Sequence, residues 1–298
     1  MEESYPQHTQ CLISGSKDLK ALKGYERHYL VKSYPIGFVF CSRIPSQKEL
    51  LEHYAKYSRD EYYSPITRLR YQELLDEFEP FRKTNKILDI GCGTGFFLEE
   101  AKAKGWEVHG TEFTDNAVEI CRNKGITMQT GSLKAENYSP EAFDVITSFE
   151  VLEHINNPLE EITNIHKIMR TGGLVYLTTP NFNAVERYLL KGNYNVIEYP
   201  EHLSYYTPKT LNYLFTNNGF KKKKIKTTGI SFSRLKASFR TMRHVENNEL
   251  LVSATSSDEL MRERSQSNPL FRVAIQLING LLNTFKIGNS LKGWFVKE

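Results

Sequence analysis

Residues Lys86–Gly95 of this chain read KILDIGCGTG, and a helical pattern begins directly after them at Phe96. The first half of the stretch is the short apolar run that a buried parallel strand requires. Three glycines then follow at alternate positions, namely Gly91, Gly93 and Gly95. A strand, a glycine turn and a helix in this order begin a nucleotide-binding βαβ unit, because a turn without side chains lets the backbone approach a ligand closely.

The spacing of the glycines narrows the kind of ligand. A dinucleotide-binding turn has the pattern G-x-G-x-x-G, which needs a glycine at position 96, and Phe96 stands there. An NAD(P)-dependent oxidoreductase is therefore the weaker alternative. What remains is an Asp-x-Gly-x-Gly-x-Gly pattern that extends from Asp89 to Gly95.

This pattern resembles the first motif of the class I methyltransferases that use S-adenosylmethionine (AdoMet). The resemblance implies that the loop, with Cys92 among its glycines, runs beside the methionine moiety of AdoMet. It also implies that Asp89 helps to orient the amino group of that moiety. The cofactor predicted from this stretch is AdoMet, and its predicted binding residues here are Asp89, Gly91, Cys92, Gly93 and Gly95.

The composition is that of an ordinary globular protein. The 298 residues are 40% hydrophobic and 25% charged, and the net charge of +4 is too mild to indicate nucleic acid or a membrane as a partner. The four cysteines are too scattered for a disulfide framework, no signal-peptide pattern is visible, and no apolar run is long enough to span a bilayer. We therefore expect a cytoplasmic protein.

The first 45 residues resemble a degenerate zinc ribbon, a module that precedes the catalytic domain in many sugar-modifying methyltransferases. Such a ribbon has two C-x-x-C pairs, and the corresponding positions here are Cys11, Ser14, Ser33 and Ile36. Serine and isoleucine do not replace a thiolate on Zn²⁺. No metal is predicted, and the segment is expected to form a small β-rich cap.

Two helices are predicted between this cap and the glycine turn. Ser46 and Glu49 form a capping box at the start of the first helix, and the second helix follows Pro65 and ends near Phe78. The resemblance implies that these helices cover the AdoMet pocket as a lid. Four tyrosines are then candidates to contact the ligand, namely Tyr54, Tyr57, Tyr62 and Tyr63.

An acidic residue, Glu112, stands near the end of the second predicted strand, EVHGTEF. It follows the glycine turn at close to the spacing of about 20 residues at which a carboxylate binds the ribose hydroxyls. Phe113 would then flank the adenine. After the third strand, Ser132 occupies the position where many relatives have an aspartate that bonds the adenine amino group. The hydroxyl of Ser132, or the main chain of Leu133, is expected to take that role.

The block FDVITSFEVLEH, residues 143–154, resembles the motif after the fourth strand of small-molecule methyltransferases, such as those of quinone and sugar biosynthesis. The carboxyl end of a parallel strand faces the ligand crevice, so Ser148, Phe149 and Glu150 are predicted to lie near the sulfonium. His154, just beyond them, is expected to point into the substrate cavity. The Asn/Asp-Pro-Pro-Tyr/Phe pattern of enzymes that methylate amino groups of nucleic-acid bases does not occur here.

Residues 180–206 exceed what a minimal fold of this kind needs. Similar insertions that carry a Glu-His pair form the substrate side of the pocket in sugar methyltransferases, and the pair here is Glu201-His202. A hydroxyl or carbon acceptor must lose a proton, and histidine is the side chain whose pKa suits neutral pH. His202, held by Glu201 or a neighbour, and His154 are therefore the candidate bases.

These patterns predict an α/β fold of the Rossmann-like class I type, with a seven-stranded, mostly parallel sheet flanked by helices. The last strand, SLKGWFVK, is expected to be antiparallel and to insert between the fifth and sixth strands. The predicted segments are a cap with lid helices, the AdoMet-binding core with its insertion at 180–206, a helical insertion and the last strand, at 1–84, 85–228, 229–289 and 290–298.

The predicted function is methyl transfer from AdoMet to a hydroxyl or carbon of a small polar metabolite, with a sugar or polysaccharide precursor as the favoured acceptor. A catalytically silent AdoMet-binding protein is the alternative, ahead of the oxidoreductase. We expect no nucleic acid partner and no stable membrane insertion. The apolar helix that follows Pro269 is expected to pack internally or to form a homodimer contact.

Overall fold

The computed structural model describes residues 5–54, 63–229 and 269–298. The strands in chain order are β1 (Leu19–Ala21), β2 (Leu30–Ser33), β3 (Val39–Cys41), β4 (Lys86–Ile90), β5 (Glu107–Glu112), β6 (Thr127–Thr130), β7 (Phe143–Phe149), β8 (Met169–Pro180), β9 (Ser204–Tyr205), β10 (Phe220–Thr228) and β11 (Ser290–Lys297). The helices are α1 (Gln47–Tyr54), α2 (Pro65–Phe78), α3 (Phe96–Ala103), α4 (Asp115–Asn123), α5 (Pro158–Ile168), α6 (Val185–Leu190), α7 (Pro208–Thr216) and α8 (Pro269–Phe285).

The larger sheet has seven strands in the order β10-β11-β8-β7-β4-β5-β6. Strands β4 to β8 pair in parallel, whereas β11 pairs antiparallel with both β8 and β10. The last strand therefore inserts between the fifth and sixth strands of this sheet, and the predicted Rossmann-like class I fold is confirmed.

The central strands bury both of their faces, because consecutive residues of a strand point to opposite sides of the sheet. Leu88 and Ile146 belong to the apolar cluster on the side of α5 and α7. Ile87 and Val145 belong to the cluster on the side of α2 and α3. This two-sided burial is the reason that β4 and β7 carry apolar residues on both faces.

A second, four-stranded sheet has the order β1-β2-β3-β9. Its strand β9 comes from the segment 180–206 and pairs antiparallel with β3, with Val39 opposite Tyr205. Tyr206 is fully buried and packs on Phe38 with ring centroids 5.2 Å apart. The N-terminal segment and the predicted substrate insertion therefore form one structural unit.

The C-terminal helix α8 precedes β11 and lies against β10, where the hydroxyl of Thr227 donates to the carbonyl of Leu282 at 2.9 Å. Its outer face exposes five apolar residues, namely Val273, Leu277, Ile278, Leu281 and Phe285. The remainder of the predicted helical insertion, residues 230–268, lies outside the described residues. Within the three described ranges, no helix combines the length and the apolar character that crossing a bilayer requires.

Candidate active site

The glycine loop begins at the carboxyl end of β4 and packs against the segment that follows β7. Gly91 has a φ of +67°, and a Cβ added to it would lie 2.6 Å from Cγ2 of Val151. Glycine is required here both by the left-handed backbone and by the lack of space. The glycine loop and the segment after β7 are therefore in direct contact.

Glu112 ends β5, and its carboxylate is directed at the glycine loop. Its Oε2 accepts a hydrogen bond from the amide of Gly93 at 3.0 Å, and its Oε1 accepts one from the amide of Phe113 at 2.8 Å. The side chain is buried. The amide and the hydroxyl of Thr114 also donate to Oε1, at 3.3 and 3.4 Å, so the carboxylate joins the glycine loop to the segment that follows β5.

Asp89 lies beneath the same loop and is buried. The hydroxyl of Thr147 donates to its Oδ1 at 2.7 Å, and the strand register places these two residues side by side. Burial raises the pKa of Asp89 to about 7, because the hydrogen bond from Thr147 only partly offsets it and the negative charge of Glu112 adds to it. The carboxyl therefore changes its charge near neutral pH.

The predicted adenine side of the site is an exposed edge. The ring of Phe113 is 71% exposed, and Ser132 is exposed as well. The carbonyl of Leu133 accepts a hydrogen bond from Nδ2 of Asn164 at 3.1 Å, so the fold already uses that group. The hydroxyl of Ser132 is thus the better candidate at this edge.

The end of β7 reaches the glycine loop. Ser148 is paired in register with Ile90, the residue that precedes the loop. The ring of Phe149 packs 5.0 Å from that of Phe97 and also contacts Tyr71. Glu150 is exposed, and its φ of +53° turns the chain out of the strand. The strand therefore contributes a polar group, an aromatic wall and a sharp turn, in that order.

Tyr63 is the lid tyrosine whose side chain the structure places beside the loop. Its ring stacks on that of Phe96, with centroids 4.6 Å apart and planes 3° from parallel. Tyr57, Tyr62 and the side chain of Tyr54 lie outside the described residues.

Two histidines meet beyond the end of β7. His154 lies in a 3₁₀ turn, Leu152–His154, and His202 lies just before β9. Their rings are edge to face, with centroids 4.8 Å apart. The amide of Leu203 donates to the carbonyl of Glu153 at 2.8 Å, which holds the two segments side by side.

Backbone carbonyls determine the tautomer of both rings. Nδ1 of His154 donates to the carbonyl of Glu201 at 2.8 Å. Nδ1 of His202 donates to the carbonyl of Val196 at 2.6 Å. Because each Nδ1 carries the proton, the lone pair of the neutral ring is on Nε2. Both histidines therefore offer Nε2 as the basic nitrogen.

Glu201 contacts His154 and also helix α1. Its carbonyl accepts the hydrogen bond from His154, and its carboxylate lies 3.5 Å from Nε2 of His53 in α1. The neighbour that holds His202 is Val196. Glu201 thus connects the histidine pair to α1.

Glu153 lies buried beside the two histidines. Its Oε2 accepts a hydrogen bond from the hydroxyl of Thr179 at 2.9 Å. Burial raises the pKa of Glu153 well above its usual range, and the negative charges of Glu150 and Glu201 raise it further. Glu153, His154 and His202 each offer one potential metal-ligating atom, and these atoms lie within 4.8 Å of one another.

Sequence reasoning missed two groups that shape this site. Thr147 holds Asp89, and its signal was a hydroxyl in the middle of the apolar strand β7. Glu153 was overlooked although it precedes His154 within the V-L-E-H block. Its place directly before His154, after the apolar pair Val151 and Leu152, is the signal that could have indicated it.

The comparisons with known proteins agree with this geometry. A family model described as a methyltransferase domain matches residues 43–224, more than half of the chain. The chain therefore belongs to this methyltransferase domain family. With the class I fold of the larger sheet, the match confirms the predicted AdoMet-dependent methyltransferase class and AdoMet as its cofactor.

A curated relative and two solved structures illustrate the likeness. The ubiquinone biosynthesis O-methyltransferase of Thiobacillus denitrificans is 33% identical over 112 residues, which are 35% of this chain and 48% of that protein. The chain spans about half the length of this curated relative. An AdoMet-dependent methyltransferase from Archaeoglobus fulgidus has a TM-score of 0.51 at 19% identity and covers 85% of this chain and 100% of its own. Phosphoethanolamine N-methyltransferase 2 of Haemonchus contortus, in complex with AdoMet, has a TM-score of 0.54 at 17% identity, covering 87% of this chain and 61% of its own. The two structures show the fold alone.

The zinc-ribbon part of the resemblance finds no support in these comparisons. The family match begins at residue 43, after the positions that correspond to the ribbon ligands. Cys11 and Ser33 are both buried, and Cys11 is part of the main apolar cluster. The N-terminal cysteine therefore serves packing in this fold.

Proposed function

We propose that this protein transfers the methyl group of AdoMet to a hydroxyl or carbon of a small polar metabolite. The single observation that carries the proposal is the contact between the rings of His154 and His202. His154 follows three residues after Val151, which packs on the glycine loop. Two basic nitrogens beside a methyl donor suit the removal of a proton from the acceptor.

The cofactor side of the proposal rests on residues that fit AdoMet. Gly91 lets the loop turn with a φ of +67° and pack directly on Val151, which is the loop shape proposed to hold the methionine moiety. Glu112 would bind the ribose hydroxyls, and Asp89 would attract the amino group of the methionine moiety. When bound, AdoMet supplies a methyl group that its sulfonium has already activated, so the protein mainly aligns the acceptor and removes its proton.

The acceptor is proposed as a sugar or polysaccharide precursor, with a ring hydroxyl of a quinone precursor as the second candidate. The second candidate is favoured by the name of the curated relatives, which are O-methyltransferases of ubiquinone biosynthesis. Both candidates present a hydroxyl oxygen, so both require the same proton removal.

The test has two parts. Isothermal titration with AdoMet and S-adenosylhomocysteine should show one site per chain, and no binding of either would contradict the proposal. Incubation with methyl-labelled AdoMet and a panel of sugar nucleotides and catechol-type quinone precursors should label one class. Tight AdoMet binding without labelling of any acceptor would favour the silent binding protein instead.

Two further expectations belong to this proposal. The four cysteines are free, which supports work in a reducing compartment such as the cytoplasm. The exposed apolar face of α8 supports a homodimer contact, and Leu277 is 66% exposed on it. Sedimentation of the full chain, compared with the variant Leu277→Lys, tests the dimer: a monomer for the unsubstituted chain would exclude it.

A further inference from the structure

We propose that Glu153, His154 and His202 bind a divalent transition-metal ion at the methyl-acceptor side of the site. The proposal replaces the expectation from the sequence that the chain holds no metal. One ligating atom from each residue lies within 4.8 Å of the other two. Ligands of a bound zinc lie about 2.0–2.2 Å from the ion, so binding draws these side chains slightly inward.

The two imidazoles are oriented as metal ligands usually are. A metal-binding histidine donates its other ring N–H to a carbonyl or carboxylate, which fixes the tautomer and the ring direction. Here the carbonyls of Glu201 and Val196 accept from Nδ1 of His154 and His202. Nε2 is therefore the nitrogen with the lone pair in both rings, and it is the atom through which each ring binds the ion.

Glu153 supplies the third ligand, and its buried carboxyl group favours a cation nearby. Its side chain is buried, and the hydroxyl of Thr179 orients it at 2.9 Å. Thr179 is neutral, so this hydrogen bond stabilises an ionised carboxylate only in part and supplies no positive charge. A buried carboxylate is costly unless it is paired with a positive charge or coordinates a metal. A divalent ion between Glu153 and the two histidines provides that charge.

The ligand types select the class of ion. Two imidazole nitrogens and one carboxylate suit Zn²⁺, Fe²⁺ or Mn²⁺, whereas Mg²⁺ prefers oxygen ligands and retains water. Three protein ligands leave positions for solvent or for a substrate oxygen, as in catalytic metal sites. The site is thus suited to a ligand with a hydroxyl group.

The role of the ion rests on the proposed function. An acceptor hydroxyl that binds the ion through its oxygen has a lowered pKa, so its proton passes to solvent water. The oxygen then forms a bond to the methyl carbon while the carbon–sulfur bond breaks and its electron pair stays on sulfur. The histidines would hold the ion in this case, and the substrate class is a molecule whose hydroxyl oxygen binds the ion.

The first test measures metal binding without any methyl acceptor. The full chain is freed of metal with EDTA and titrated with Co²⁺, whose visible absorption reports nitrogen and oxygen ligands. We expect one Co²⁺ per chain, displaced by Zn²⁺. His154→Gln and His202→Gln should each weaken binding by more than the roughly 10- to 100-fold that loss of an outer partner costs. His166→Gln is the matched control, since His166 lies on α5 against Phe220.

The outcomes separate this proposal from the proposed function. No Co²⁺ or Zn²⁺ binding by the unsubstituted chain, or equal binding by the double variant H154Q/H202Q, overturns the metal site. Circular dichroism and AdoMet titration establish that each variant is folded. NMR of the unsubstituted chain also tests the metal site. Zn²⁺ should shift the ring ¹⁵N signals of two of the eight histidines. Shifts spread over the other histidines would contradict the site, whatever the methyl acceptor is.

Discussion

The rings of His154 and His202 lie edge to face with centroids 4.8 Å apart, although one follows β7 and the other precedes β9. The contact joins the segment that follows β7 to the segment that precedes β9, and β9 pairs with the N-terminal strand β3. Each ring donates Nδ1 to a backbone carbonyl, so the same orientation serves a base or a metal ligand. Five predictions test how these residues and their neighbours work.

Substitution of His202 is expected to slow the reaction without loosening the cofactor. His202→Gln should lower kcat by about 100-fold or more, because positioned proton transfer contributes typically 10²–10⁴-fold, while the Kd for AdoMet stays unchanged. His166→Gln should retain both values. An equal loss of AdoMet affinity and turnover in His202→Gln would mean that the ring is structural.

Removal of the charge on Glu112 is expected to weaken AdoMet binding. Glu112→Gln keeps the shape of the side chain but loses a charge-assisted hydrogen bond, which is worth about 1.5–3 kcal/mol, or roughly 10- to 100-fold in Kd. Isothermal titration measures the change. Glu119→Gln, at an exposed position on α4, is the control and should bind as the unsubstituted chain does. Full affinity in Glu112→Gln would refute the ribose role.

A methyl group at Gly91 is expected to displace the glycine loop from its contact with Val151. Gly91→Ala places its Cβ against Val151 at a φ of +67°, whereas Gly15→Ala has nearly the same φ, +68°, and nothing within 4 Å of the added Cβ. The left-handed backbone should cost both variants about 1–2 kcal/mol in the free energy of unfolding, and the contact with Val151 should add to the cost in Gly91→Ala alone. Only Gly91→Ala should lose AdoMet affinity in titration. Equal AdoMet affinity in both variants would show that the loop tolerates the side chain.

The AdoMet affinity is expected to depend on pH through Asp89. Because the pKa of this buried carboxyl is raised to about 7, it is largely neutral at lower pH and cannot attract an ammonium group. The affinity should therefore rise with pH, by up to about tenfold per unit below the pKa, and level off above it. Asp89→Asn should bind AdoMet more weakly at pH 8, and its AdoMet affinity should change less with pH. The same slope in Asp89→Asn would assign the pH dependence to another group.

Asp144 is expected to stabilise the fold rather than to act in the reaction. Its carboxylate accepts from Nε of Arg170 at 2.6 Å and from the amides of Lys83 and Asn85 at 2.7 and 2.8 Å. Burial alone would raise its pKa, but these hydrogen bonds outweigh burial and hold the pKa below its usual value. The stability that the ionised form contributes is therefore present at neutral pH and lost as pH falls below about 4.

Asp144→Ala should lower the free energy of unfolding by about 3 kcal/mol, the size seen when one partner of a buried ion pair is removed. Urea denaturation at pH 7 measures the loss. Asp18→Ala, at an exposed position, is the control. A change below about 0.5 kcal/mol in Asp144→Ala would contradict the structural role.

Much of the cofactor half could be predicted from local patterns. KILDIGCGTG predicts the strand, turn and helix that β4, the glycine loop and α3 form, because each is specified by neighbouring residues. The capping box at the start of α1 is equally local, and Ser46 and Glu49 make both of its hydrogen bonds. The main chain of Leu133 was less predictable, since its carbonyl is taken by Asn164 from a distant helix.

The sequence by itself determined the order of the core strands and helices and the glycine loop, because these depend on short-range periodicity and spacing. The resemblance of its motifs to a known family added the methyltransferase class and AdoMet. Only the tertiary structure decided which acceptor-side residues meet. In the folded chain the carboxylate of Glu201 lies beside His53, and its carbonyl accepts a hydrogen bond from His154. Glu153 lies beside both His154 and His202. The physical reason is that backbone carbonyls and buried neighbours orient these side chains, and such contacts join segments far apart in the chain.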